Sequence, residues 1–326
     1  MFHAVISGVG SYLPARRLAN SDIERMVETT DEWIVTRTGI AERRIADDSE
    51  ATSDLAFRAA QAALETAGLA AADVDLLIVA TSTPDHPFPP VACKLQARLG
   101  CGPIPSFDVG ATCIGFLSAL EIAHQFIQTG KSRHALVVGA DTLSRVTDYS
   151  DRSTCILFGD GAGAFVVSRS MEQNRAGIIC SRTHANGEHY DDLYVPAGGS
   201  RYPVPHAEET RTKVVMNGRR IFKLAVNAMS RTVQETLKAT GLPLHQVDWL
   251  VPHQANQRII EAVAEQLDFP MEKVISIIRH TGNNSAATIP VAFDTAVQDG
   301  RIKRGDKVML TAFGGGLLWG SLLLEY

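Results

Sequence analysis

Two stretches decide the fold: "ALETAGLAAADVDLL" (63–77) and "TLKATGLPLHQVDWL" (236–250). Each ends a helical pattern on a glycine, Gly68 or Gly241, and then presents an aspartate, Asp75 or Asp248, at the head of an apolar run. A glycine just past a periodic segment reads as a helix stop, and the short apolar run after it reads as a strand. The two glycines and the two aspartates are each 173 residues apart. Further along, "FGDGAGAFVV" (158–167) closes the first copy and "FGGGLLWGSLLL" (313–324) the second. Between them lie two helical stretches that stop on glycine, "CIGFLSALEIAHQFIQTG" (113–130) and "NNSAATIPVAFDTAVQDG" (283–300). Helix-stop grammar alone produces short matches, but four landmarks in one order predict a duplicated α/β unit. The expected halves are 1–170 and 171–326. Aligning Gly130 with Gly300 sets Cys113 opposite Asn283, each at the entrance of an inner helix.

Outward from the repeat, strands are predicted at 4–13, 74–83, 134–142, 247–252 and 307–313, and a helix at 53–68. Residues 216–241 place Phe222, Ala225, Met229, Val233 and Leu237 at helical spacing. Ser21 and Glu24 suggest a capping box. Residues 184–215 lack periodicity and read as a long irregular excursion, a kind of loop that is often functional.

Composition narrows the function. The chain has 326 residues, 45% hydrophobic and 21% charged, with formal net charge -5. That is enough for a large core, and it gives no electrostatic reason to propose nucleic acid as a partner. No apolar run reaches the roughly 20 residues of a membrane span, and the first residues show no signal-peptide pattern. The expectation is a cytoplasmic protein. Five cysteines at irregular spacing, without a CxxC pair, argue against a disulfide framework and a zinc site.

The residues that could carry chemistry each have an ordinary alternative. Cys113 in "ATCIGF" (111–116) is a buried inert thiol or a nucleophile. A helix N-terminus is worth up to about 2 kcal/mol to a thiolate, about 1.5 pKa units, and the expectation is a thiol drawn toward neutrality. His253 follows the strand "VDWLVP" at a sheet rim, where α/β folds place ligands. Asn283 in "TGNNSAA" is a turn residue or a carboxamide donor. The glycines of "FGGGLLWG" (313–320) form a turn or an oxyanion-binding loop. Thiol, imidazole, carboxamide and glycine loop together make the inventory of thioester chemistry.

The chain resembles the β-ketoacyl-acyl-carrier-protein synthase III family over essentially its whole length. Carrying the resemblance are "GVGSYLP" (8–14), "TTDEWIVTRTGIAERR" (29–44), "CIGF" (113–116), "DRSTCILFGDGAGA" (151–164), "HQANQRII" (253–260), "GNNSAA" (282–287) and "AFGGGLLWG" (312–320). It implies a thiolase-like five-layer αβαβα fold and a Cys113–His253–Asn283 triad, with Gly315 as oxyanion donor. It implies an acyl-CoA primer, commonly acetyl-CoA, and malonyl-acyl carrier protein as substrates, with neither metal nor cofactor. It points to Thr29, Trp33, Arg37, Arg152 and Asn256 for CoA. Arg219, Lys223 and Arg258 would dock acidic carrier protein. Phe88 would close the acyl pocket of the partner in a homodimer. Ile114, Asn284 and His280 depart from the family pattern, and Ile114 bears on the primer pocket. A relative in secondary metabolism with a bulkier acyl or aroyl primer is the alternative. A thiol hydrolase and a non-catalytic carrier-protein scaffold are the rivals from other classes.

Overall fold

The computed structural model describes residues 2–171, 177–204 and 209–326. The first half opens with β1 (His3–Tyr12). A ribbon of β2 (Arg16–Ala19) and β3 (Glu42–Ile45) then flanks α1 (Asn20–Ile23) and α2 (Asp31–Thr38). It continues as α3 (Thr52–Ala67), β4 (Leu76–Ala80), α4 (Val91–Leu99), β5 (Ser106–Val109), α5 (Gly115–Gln128), β6 (His134–Thr142) and β7 (Asp160–Ser170). The second half runs β8 (Ile178–Ala185), β9 (Leu193–Tyr194), β10 (Val215–Met216), α6 (Gly218–Thr240), β11 (Trp249–Pro252) and α7 (Gln257–Leu267). It ends with α8 (Ile278–Thr281), α9 (Thr288–Gln298), β12 (Lys307–Gly314) and β13 (Leu318–Glu325).

Two sheets result, ordered β1-β7-β6-β4-β5 and β11-β12-β13-β8. Helix α3 covers the outer face of the first and α6 that of the second, while α5 and α9 fill the space between. That is five layers, αβαβα. Strands buried on both faces carry aliphatic residues at both parities. On β6, Ala135 and Val137 join the central core, while Leu136 and Val138 join the α3 layer. On β12, Val308 and Leu310 face the centre, and Met309 and Phe313 face the α6 layer. Phe116, Phe165 and Phe293 bind α5, β7 and α9 together, with both ring pairs at 4.9 Å and edge-on.

The repeated aspartates have one structural job. Asp75 Oδ2 accepts from Arg133 N at 2.8 Å, and Asp248 Oδ2 accepts from Lys307 N at 2.8 Å. Each carboxylate clasps the entrance of the parallel strand beside its own. Gly68 and Gly241 cap α3 and α6 in the left-handed region, at φ 65° and 68°.

Three expectations need correction. The cap of α1 lies two residues earlier than Ser21 and Glu24 suggest: Asp22 accepts from Ala19 N at 3.0 Å. The stretch 184–215 is not all irregular, since it ends β8 and holds the β9–β10 pair; residues 205–208 of it lie outside the described residues. The inner helices align differently from their glycine stops. Thr112 and Ser285, 173 residues apart, share positive φ, 47° and 50°, and each opens a 3-10 turn before its helix. Cys113 therefore matches Ala286, not Asn283. The glycine alignment misleads because α5 has 14 residues and α9 has 11.

Candidate active site

Cys113 sits in the 3-10 turn Thr112–Ile114 between β5 and α5. Thr112 holds the turn by donating its hydroxyl to Gly315 O at 3.1 Å. His253 follows β11, and its N–H donates to Thr311 O at 2.8 Å. Next to it, Gln254 is locked by bonds to Pro252 O at 2.7 Å and from Ile277 N at 2.9 Å. This fixes the main chain on both sides of the imidazole. Asn283 is pinned to the other half, donating to Leu157 O at 2.9 Å and accepting from Gly159 N at 3.0 Å. Its Oδ1 accepts from Ser285 N at 3.0 Å, so its amide N–H₂ is the end left for the cavity.

A cavity of about 520 Å³ brings Cys113, His253 and Asn283 together. They are 9%, 2% and 6% exposed, so they lie at its buried end. Ile156, Leu157, Phe158, Leu193 and Phe313 supply apolar wall. Trp33, Arg37, Arg219, Asn256 and Arg258 also line it, and the arginines among them make no ion pair among the described residues. The cavity thus runs from a dry polar triad to a cationic mouth.

Burial sets the protonation states. It pushes the Cys113 thiol up to about 12, against a hydrogen bond from Ser285 that favours the thiolate. It pushes His253 down to about 3. The expected near-neutral thiol is therefore overturned, because desolvation outweighs the pull of a helix end. At neutral pH the pair is thiol and neutral imidazole.

Ser285 touches two of the three and reaches His253 through Thr288. Its N–H holds Asn283, and its hydroxyl donates toward Cys113 Sγ at 3.5 Å. Its carbonyl accepts from the Thr288 hydroxyl at 3.0 Å, and that oxygen lies 2.6 Å from His253 Nδ1. Behind it, the fully buried Asp141 accepts from Ser82 N at 2.7 Å and from Ala286 N at 3.1 Å, tying the halves together. Sequence reasoning missed Ser285, Thr288 and Asp141. The available signals were Ser285 two residues after Asn283, Thr288 on the same helix entrance, and Asp141 at the carboxyl end of a strand.

The other expected residues divide. Gly314 lines the cavity, while Gly315 lies beyond it, carrying the carbonyl that holds Thr112. Asn256 lines it with both amide ends engaged, to Arg37 O at 3.0 Å and from Arg258 N at 2.9 Å. Arg152 stacks 5.0 Å over Trp33 and donates to Glu28 O at 3.0 Å, outside the lining. Thr29 also lies outside, with a buried hydroxyl that has no partner among the described residues. Lys223 is exposed on α6 away from the cavity. Phe88 is 83% exposed and does not reach the cavity of its own chain. Ile114 points into the central core, where a side chain at Gly320 would meet it at 3.0 Å, and it does not line the cavity. Asn284 packs beneath Gly161 with both side-chain polar atoms buried and unpaired among the described residues. His280 stands 3.6 Å from Glu42.

Comparison with known proteins agrees with this architecture. Residues 107–187 match the family model 3-Oxoacyl-[acyl-carrier-protein (ACP)] synthase III, and residues 237–326 match its C-terminal companion. A beta-ketoacyl-[acyl-carrier-protein] synthase III of Thiobacillus denitrificans is 54% identical, with 100% of both chains covered. The crystal structure of 3-oxoacyl-[acyl-carrier-protein] synthase III from Aquifex aeolicus superposes with TM-score 0.92 at 46% identity, covering 99% of this chain and 100% of that one. The priming beta-ketosynthase of the R1128 polyketide pathway has the same TM-score, 0.92, at 35% identity over 99% of this chain and 96% of that one. With a thiolase fold and full-length identity of this order, the chain belongs to the β-ketoacyl-acyl-carrier-protein synthase III family.

Proposed function

We infer that the chain catalyses decarboxylating condensation of an acyl-CoA primer with malonyl-acyl carrier protein, the step that starts fatty acid synthesis. The observation that carries this is the meeting of thiol, neutral imidazole and carboxamide at the dry end of one cavity. The higher identity to synthase III relatives than to the polyketide priming enzyme favours fatty acid synthesis over the secondary-metabolite alternative.

In the first half-reaction Cys113 attacks the primer thioester while His253 takes its proton, and CoA leaves with that proton. General-base assistance is required because the resting thiol is not ionised. The tetrahedral oxyanion faces the backbone N–H groups of Cys113 and Gly315. In the second, malonyl-carrier protein loses CO₂. Negative charge then develops on its thioester oxygen, where Asn283 and His253 donate. The enolate carbon attacks the acyl-cysteine, and Cys113 departs as a thiol after gaining a proton from solvent. No metal or cofactor takes part.

Trp33, Arg37, Thr29, Arg152 and Asn256 bind CoA. The Arg152–Trp33 stack has to open for an adenine to enter, and Asn256 has to trade a protein partner. Arginine suits the phosphates. Arg219, Lys223 and Arg258 meet the acidic carrier protein. The exposed Phe88 reaches a cavity in a second copy, making the working unit a homodimer with short primers. Five free cysteines suit a reducing cytoplasm.

Intact-mass spectrometry with a panel of acyl-CoAs tests this. The expected result is a short-acyl adduct on wild type that Cys113→Ala abolishes. Preferential loading of a bulky aroyl group would move the chain to the alternative, and no adduct would refute the reading.

A further inference from the structure

We propose that Arg43 is a positioning residue for Asn283, and that it serves the decarboxylating half-reaction rather than acyl loading. This rests on the functional reading above. Arg43 lies on β3, fully buried and outside the cavity lining. Its guanidinium meets only neutral oxygens at hydrogen-bond distance among the described residues. Nε donates to Ile156 O at 3.1 Å, Nη2 donates to the same oxygen, and Nη1 donates to Asn20 Oδ1. The titratable side chains beside it stay neutral, because burial pushes Cys155 up to about 11 and Tyr149 up to about 12. A buried cation without a carboxylate is costly, so the carbonyl it clamps is held in one place.

That carbonyl leads directly to Asn283. One residue on, Leu157 O accepts from Asn283 N at 2.9 Å, and Gly159 N donates to Asn283 O at 3.0 Å. Phe158 and Asn283 thus form an isolated parallel bridge. The glycines flanking this bridge rest on the Arg43 stem. A Cβ at Gly282 would lie 2.9 Å from Arg43 Cγ, and one at Gly159 would lie 3.3 Å from Arg43 Cβ. Arg43 therefore fixes both strands of the bridge, one by hydrogen bonds and one by packing. Lysine has no planar fork and cannot chelate Ile156 O while reaching Asn20. In the proposed mechanism Cys113 and His253 carry out loading, and Asn283 donates only later, to the malonyl thioester oxygen. Displacing Asn283 should slow that step alone.

Arg43→Lys tests this with the two half-reactions timed separately. Loading is read by quenched-flow mass spectrometry with acetyl-CoA, and the second step by CO₂ release when malonyl-acyl carrier protein meets the pre-loaded enzyme. Loading should stay within about twofold of wild type. CO₂ release should slow about tenfold or more, part of the 10²–10³ that one lost donor costs. The side-chain amide signal of Asn283 in ¹H–¹⁵N spectra, assigned by its loss in Asn283→Asp, should shift. Equal slowing of both half-reactions, unchanged CO₂ release or an unmoved amide signal overturns the proposal. If Arg43→Lys fails to fold, Asn20→Ser frees the other end of the guanidinium and is judged by the same outcomes. A wild type that takes no acyl group refutes the functional reading, while the amide signal still decides whether Arg43 positions Asn283.

Discussion

The Ser285 hydroxyl stands 3.5 Å from the Cys113 sulfur and donates toward it across the boundary between the two halves. It opposes the desolvation that holds the proton on the thiol. A hydrogen bond to a charged group is worth about 1.5–3 kcal/mol, so Ser285→Ala should slow acyl loading about tenfold or more. The pH profile of Cys113 alkylation by iodoacetamide should also move upward by at least about one unit. An unchanged alkylation profile would show that the hydroxyl does not act on the thiolate.

Acid should leave loading intact where an ordinary histidine would fail. His253 is pushed down to about 3, so it remains an acceptor through pH 6.5 and below. Quenched-flow loading rates should stay level from pH 8 to about pH 5.5, whereas a normal imidazole would lose half its acceptor form near pH 6.5. The same shift sets a stability slope. Between pH 6.5 and about 3 the unfolded chain binds a proton that folded His253 refuses. This contribution is complete above pH 6.5 and is lost as pH falls, by at most about 1.4 kcal/mol per unit. Denaturant melts at pH 7, 6 and 5 should show that slope in wild type and its removal in His253→Asn.

Gly314→Ala should abolish turnover in a folded protein. A Cβ there would strike the Thr112 hydroxyl and lie 2.9 Å from Cys113 N. In the proposed mechanism that N–H serves the oxyanion, and losing one such donor costs about 10²–10³ in rate. Near-normal thermal unfolding with acyl loading down by that factor is the expected pair of results. Full activity would remove Cys113 N–H from the oxyanion site.

Arg43 supports the site from below. It is 0% exposed, donates to Asn20 Oδ1 and Ile156 O, and lies under Gly282. Arg43→Ala would leave both oxygens unpaired in a dry interior and open a void, costing about 3 kcal/mol or more. The melting temperature should fall by at least about 6 °C in a calorimetric scan.

Much of this was legible in the sequence, for identifiable reasons. The 173-residue repeat survives because Asp75 and Asp248 each answer a backbone N–H on the neighbouring strand, a geometric need that tolerates little change. The amphipathic face of α6 announced itself through Ala225, Met229, Val233 and Leu237, all buried. The triad residues were visible as types and became specific through family resemblance. What stayed hidden depends on contacts between distant segments. Thr288 looks like any helix residue until folding brings His253, 35 positions earlier, against its hydroxyl. The thiol's protonation state was misjudged because a helix end can be read from sequence, whereas the desolvation around it belongs to the assembled cavity. The partner of Cys113 was misassigned because α9 lacks three residues that α5 has, a difference invisible in its glycine stop.

The repeat also explains why a doubled chain holds a single reaction centre. Ala286 occupies the station of Cys113, and Asp141 occupies that of Gly314, each 173 residues from its counterpart. At the Gly314 station the absence of a side chain keeps the Cys113 amide open to a guest. At the other station the Asp141 carboxylate already sits on the Ala286 amide at 3.1 Å. One station of the repeat is left open to substrate, and its twin is filled by the protein's own carboxyl group, which makes the silent copy a structural rivet.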